Sequence, residues 1–195
     1  NTALTSLNGL SGITSVGDRL EIYNNDILTS LSDLGNLHSV NGSLVISDNA
    51  ALTSLNGLSG ITSVGGFLEI SNNDALANLS GLGSLHSVNG SIGISNNATL
   101  ASLNGLSGIT SLGGALQITS NTALTSLDGL SGITSLDGPL GIHDNNTLTS
   151  LNGLENLSSV SGYLVISNNA TLTSLNGLSG VTSINGSLQI ISNSA

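Results

Sequence analysis

Asn49-Ala50-Ala51-Leu52-Thr53-Ser54-Leu55-Asn56-Gly57-Leu58-Ser59-Gly60-Ile61-Thr62-Ser63-Val64-Gly65-Gly66-Phe67-Leu68-Glu69-Ile70-Ser71-Asn72 is a unit that this chain repeats every 24 residues. Generalised, it reads N-x-x-L-T-S-L-x-G-L-x-x-I-T-S-V-x-G-x-L-x-I-x-N. The pattern runs eight times without an insertion, as 1–24, 25–48, 49–72, 73–96, 97–120, 121–144, 145–168 and 169–192, and residues 193–195 open a ninth copy. A fixed period of this size is the signature of a solenoid, in which each repeat is one coil stacked on the last. The chain 1–195 therefore reads as a single array.

Superposed, the repeats give seven apolar columns. Leu fills the fourth, seventh and tenth positions of every copy, Ile the twenty-second, and Ile, Leu or Val the thirteenth, sixteenth and twentieth. No helical i, i+3, i+4, i+7 stripe recurs. Leu20-Glu21-Ile22 and its equivalents alternate as a strand does, two side chains inward and one outward. Ile13-Thr14-Ser15-Val16 also reads as extended, and the glycines near positions nine, twelve and eighteen permit turns between faces. These features predict an all-β solenoid, a right-handed parallel β-helix with three short strands per coil and a triangular cross-section. At a strand spacing of ~4.8 Å, eight coils make a rod about 40 Å long. A lone coil buries too little to offset the entropy of ordering it, so stability must come from stacking.

Composition narrows the function. Eleven acidic residues face one base, Arg19, for a net charge of −10, which argues against nucleic acid and anionic membranes as partners. No apolar run reaches transmembrane length, so no membrane insertion is expected. The absence of Cys excludes a disulfide framework and thiolate metal sites. With 26 Gly, one Pro and 2% aromatic residues, the core must be almost wholly aliphatic.

The first position is Asn in every copy: Asn1, Asn25, Asn49, Asn73, Asn97, Asn121, Asn145 and Asn169, then Asn193. An amide carries two donors and an acceptor, and in-register amides are expected to form a structural ladder along the stack. An unbroken Ser column runs from Ser15 to Ser183 and is expected to bond at a corner.

The phrase L-x-x-L-x-x-L followed by L-x-I-x-N-N-x-x-L, as in Ser47 to Leu58, resembles the leucine-rich repeat superfamily, and most closely its receptor L-domain type. The resemblance implies an extracellular or cell-surface, non-catalytic binding or scaffold module. The helical or 3₁₀ convex side of that family is not expected here, because Gly-Ile-Thr-Ser-Val reads as extended. Flanking cysteine caps are absent from the sequence.

Candidate chemistry is sparse. His38 and His86 share a column two repeats apart, about 10 Å, which is too far for joint metal ligation, and they read with His143 as surface residues. Asp26, Asp48, Asp74 and Asp144 flank the Asn column and read as turn residues rather than a calcium loop. No nucleophile–base–orienter set stands out from the abundant Ser, and neither enzyme activity nor a cofactor is expected. Sequons include exposed candidates at Asn41, Asn89 and Asn185, whereas those at Asn97, Asn145 and Asn169 fall in the ladder.

Two outward surfaces differ in character. Thr5, Thr29, Thr53, Thr125, Thr149 and Thr173 make a regular column, interrupted by Ala77 and Ala101, that presents evenly spaced hydroxyls and methyls to an ice lattice. Tyr23, Phe67 and Tyr163 lie on a more irregular face and are candidate anchors for a ligand. The leading expectation is a structural or adhesive extracellular rod that associates end to end or continues a longer array. Ice binding and receptor-like ligand binding are the alternatives.

Overall fold

A computed structural model describes residues 1–193; positions 194 and 195, the end of the ninth-repeat fragment, lie outside the described residues. The repeat folds into a stack of parallel coils. Each coil contributes a two-residue short strand, from Ser15–Val16 in the first to Ser183–Ile184 in the last. It also contributes a four-residue long strand, from Leu20–Tyr23 to Leu188–Ile191. These make two eight-stranded parallel sheets in which each coil pairs only with the coils before and after it. The register is 24 residues throughout, as in Ser15↔Ser39 and Leu20↔Leu44. The third extended side is a set of single parallel bridges, Ser30↔Ser54, Asn78↔Ser102 and Ser150↔Ser174. The chain is thus the parallel β-solenoid that its period predicts.

One local expectation is corrected. Ile13-Thr14-Ser15-Val16 does run into a strand, but a 3₁₀ turn precedes it, at Asn8–Leu10, Ser32–Leu34, Asn56–Leu58 and the matching residues of most coils. The leucine spacing permits this turn, and the close approach of the glycine inside it to the preceding coil selects it. Leu55 and Leu58 are three apart, which is one turn of a 3₁₀ helix, and Leu58 N–H donates to the Leu55 carbonyl at 2.8 Å. The turn brings position nine against the preceding coil: a Cβ on Gly105 would lie 1.6 Å from the Leu79 carbonyl oxygen. In the seventh coil the Glu155 carboxylate instead accepts from Gly153 N–H at 2.8 Å, and Gly153 adopts φ +104° in place of the 3₁₀ turn.

All seven aliphatic columns of the six inner coils point into one continuous core and are at most 2% exposed. Burial on this scale is what makes the array cohere, at roughly 25 cal/mol per Å² of apolar surface removed from water. The outer coils are more open: Leu10 and Leu175 are each 39% exposed and Leu188 is 59% exposed. Behind each long strand the chain turns through a left-handed residue, Asn24, Asp48, Asn72, Asn96, Ser120, Asp144, Asn168 or Ser192, with φ between 53° and 58°. Asn and Asp tolerate this conformation better than other residues bearing a Cβ.

Candidate functional site

The Asn column is a hydrogen-bonded spine immediately after this turn. Asn97 Nδ2 donates to the carbonyls of Ser95 and Ile70, both at 3.0 Å. Its Oδ1 accepts from the backbone N–H of Asn73 at 3.1 Å. The same set recurs from Asn49 to Asn169, and Asn193 accepts from Asn169 N–H at 3.0 Å. Asn49 through Asn169 are fully buried. Asn1 stands apart from this arrangement. It is exposed, its Oδ1 accepts from Ala3 N–H at 3.1 Å, and its ammonium donates to the Asn24 carbonyl. The bond to a carbonyl 27 residues back is made from Asn49 onward and by neither Asn1 nor Asn25. The spine's polar groups are engaged inside the stack, so its role is structural. The sequons at Asn97, Asn145 and Asn169 are buried with it, while Asn41, Asn89 and Asn185 are exposed.

The outward positions of the long strands form a different kind of surface. Reading from coil to coil, position nineteen is Arg19, Ser43, Phe67, Ser91, Ala115, Pro139, Tyr163 and Ser187. Position twenty-one is Glu21, Val45, Glu69, Gly93, Gln117, Gly141, Val165 and Gln189, and position twenty-three begins at Tyr23 and includes His143. All three aromatic residues, the one Arg and the one Pro of the chain fall on these columns. Tyr23 is 52% and Tyr163 42% exposed, while Phe67 is half-buried. The three share a face but do not converge, since Tyr163 lies four coils, or about 19 Å, from Phe67.

Two short-range clusters occupy that face. Arg19 Nη1 donates to Glu21 Oε1 at 2.7 Å while its guanidinium carbon sits 5.5 Å from the centre of the Phe67 ring. Further along, His143 Nδ1 lies 2.8 Å from Ser167 Oγ. A Cβ on Gly141 would meet Gln117 Oε1 at 2.1 Å and His143 Nε2 at 2.6 Å, so those side chains roof that glycine. Gly93 is not covered: a Cβ there would find nothing within 4 Å. It floors an open trough of about 660 Å³ spanning the third to fifth coils, with Phe67 and Glu69 along one side and Gln117 and Thr119 along the other.

The Thr column is exposed, but the hydroxyls of Thr53, Thr125 and Thr173 bond to the preceding coil. Thr53 Oγ1 donates to the Thr29 carbonyl at 3.1 Å and Thr173 Oγ1 to the Thr149 carbonyl at 3.2 Å. Each ties its coil to the one before, which leaves the methyl and the oxygen lone pairs for solvent. The turn residues Asp48 and Asn72 bond to each other at 2.9 Å. Among the described residues, no three of His, Asp and Glu converge to hold a metal ion, and no helix is long and apolar enough to cross a membrane.

Sequence reasoning pointed to the irregular face and to Phe67, but not to the trough or to the Arg19–Phe67 contact. The trough's signal was a missing side chain, Gly93 between Glu69 and Gln117 in one column. The Arg19 contact joins side chains from the first and third coils and has no signature in any single repeat. No family model matches the chain, and neither the curated proteins nor the solved structures contain a match to it.

Proposed function

We propose that this chain is a non-catalytic structural or adhesive repeat protein of the cell exterior, of leucine-rich-repeat character, that holds a partner on the outward face of its long-strand sheet. The observation that carries this reading is where the coils differ. The core columns, the Asn spine and the short-strand Ser are repeated almost without change. The three aromatic residues, the one Arg and the one Pro are gathered on one eight-stranded face. A rigid sheet with a few aromatic anchors in a polar surround is a common form of contact surface. The test replaces Tyr23, Phe67 and Tyr163 together by Ser, a residue that positions nineteen and twenty-three already carry in other coils. Binding to immobilised peptide and glycan panels should be lost, while Thr53→Ser with Thr173→Ser leaves it intact. Retained binding in a folded triple variant would refute the assignment of this face.

A second feature bears on how the stack would extend along its axis. The last long strand exposes Leu188, Ile190 and Ile191. They follow the register by which each internal long strand pairs with the next coil. A further coil of the same period, in this chain or in a second copy, would cover that edge. Electron microscopy and sedimentation over a range of concentrations should show rods that lengthen; a monomer at all concentrations would argue against pairing between copies.

A further inference from the structure

The trough over Gly93 has the chemistry of a cation site, and the protein itself displays the interaction. Arg19 is held between the carboxylate of Glu21 and the ring of Phe67. Glu69 occupies the same column as Glu21 and stands two residues from Phe67 in the same strand segment. Its Oε1 accepts from Ser71 Oγ at 3.1 Å, and it has no cationic partner among the described residues. The register places Glu69 beside Gly93 and Gly93 beside Gln117, so the missing side chain opens space next to the carboxylate. Ser91 and Ala115 continue the position of Phe67 in the next two coils, and their small size keeps the flank beside the ring clear.

We propose that this trough receives a basic side chain, Arg or Lys, carried by a partner polypeptide. The inference rests on the long-strand face being the contact surface, and adds what that surface takes. Charge complementarity favours it. The chain carries −10, its single Arg is neutralised by Glu21, and Glu69 is the only ionisable side chain lining the trough. A protein of such one-sided charge steers cations toward itself and disfavours anions. A guanidinium beside Phe67 and Glu69 gains a ring-face attraction and a charge-assisted hydrogen bond together. The polypeptide is favoured over a free small cation because the trough extends about 10 Å along the stack. Its rim of Ser91, Ser95, Asn96, Gln117 and Thr119 offers hydroxyls and amides that match peptide N–H and C=O groups.

The test is a titration of the ¹⁵N-labelled full chain with acetyl-Gly-Arg-Gly-amide. The same peptide with citrulline in place of Arg, and a neutral β-glucan oligosaccharide, are run in parallel. The Arg peptide should give saturable shifts at Phe67 to Glu69, Gly93 and Gln117, and the citrulline peptide should not. Glu69→Gln should weaken binding about tenfold, the scale of one charge-assisted hydrogen bond. Salt at about 1 M, where the screening length falls to about 3 Å, should do likewise. Gly93→Gln should abolish binding by filling the trough. Both variants copy a residue that the same column carries at Gln117 and Gln189, so the stack accommodates them. Absence of saturable shifts, equal binding of the citrulline peptide, or binding that survives Gly93→Gln overturns the proposal. If the oligosaccharide alone titrates into the trough, the contact face stands and the basic occupant falls.

Discussion

Replacing Asn97 by Ala removes one rung from the middle of the buried spine. Besides the lost bond from Asn97 Nδ2 to Asn121 Oδ1 at 3.1 Å, three consequences follow from the geometry. The Asn73 N–H, which donates to Asn97 Oδ1 at 3.1 Å, is left inside the stack without that acceptor. An orphaned buried donor costs about 1–3 kcal/mol. The Ile70 and Ser95 carbonyls each lose the amide donor at 3.0 Å, although Ser95 keeps its bond from Asn72 N–H at 3.1 Å. Each such loss is worth about 0.5–1.5 kcal/mol. The total is about 2–6 kcal/mol, before any contribution from the space the amide vacates. Asn25→Ala is the internal control. Asn25 Nδ2 donates to the Tyr23 carbonyl at 3.0 Å and to Asn49 Oδ1 at 3.2 Å, but its Oδ1 holds no N–H from the first coil as Asn97 does from Asn73. Its loss should cost only about 1–2 kcal/mol. Urea unfolding followed by circular dichroism compares the two. Because each coil contacts only its neighbours, the Asn97 variant should also broaden the transition as the two halves uncouple. Equal destabilisation by both substitutions, or a loss below about 1 kcal/mol for Asn97→Ala, would show that the spine follows the fold rather than supporting it.

Other substitutions separate close approach from free space. Gly105→Ala drives a Cβ to 1.6 Å from a backbone carbonyl oxygen, whereas Gly93→Ala meets nothing within 4 Å. Thermal unfolding should show a loss of more than about 3 kcal/mol for the first and a change within about 0.5 kcal/mol for the second. Ser120 sits at φ 56° in a column otherwise dominated by Asn and Asp. Ser120→Asn should therefore raise stability by a few tenths of a kcal/mol, to about 1, measured by the urea midpoint at constant slope. Glu155→Ser removes the carboxylate that accepts from Gly153 N–H. The amide resonances of Asn152 to Leu154 should then move toward those of the 3₁₀ turns in the other coils.

The core was legible because it is written redundantly. Leu4, Leu28, Leu52 and their successors align at one interval, and only a stack puts such a column on one line. The Asn spine was legible for the same reason, since a buried amide repeated in register has only its neighbours and the adjacent backbone to bond. The 3₁₀ turn at Asn56–Leu58 was missed because a Leu spacing of three fits both a bent extended segment and one turn of that helix. What decides between them is the approach of Gly57 to the Leu31 carbonyl in the preceding coil, a contact between repeats that no single repeat contains. Asn1 matches its column in sequence but not in bonding, since its Oδ1 accepts from Ala3 N–H within its own turn. The left-handed column was hidden by its mixed composition of Asn, Asp and Ser, which reads as an ordinary turn.

The same logic explains why the contact face emerges only in part from the pattern. A repeat array faces two demands on each residue. Positions that touch the next coil must suit identical neighbours above and below, so substitution there is penalised twice, as the approach of Gly105 to Leu79 illustrates. The outward positions of the long strands escape that constraint: Glu69, Gly93 and Gln117 sit in consecutive register on one sheet and differ in size and charge while the strands beneath them pair without change. Variation there costs the stack little, so a surface can diverge without disturbing the rod that carries it. This separation yields a comparison that the stability variants alone do not provide. Exchanging the outward trio Phe67, Glu69 and Ser71 for Ala115, Gln117 and Thr119 of the fifth coil, and the reverse, keeps every core residue in place. Melting temperatures should agree within a few degrees, a difference of at most about 1 kcal/mol. Binding of the Arg peptide should follow the ring and carboxylate to the other flank of Gly93, because the register sets residues 69 and 117 on either side of it. A swap that lowers the melting temperature by ten degrees or more would mean that the outward side chains are part of the stacking code, and the division of the repeat into a constant scaffold and a free face would have to be abandoned.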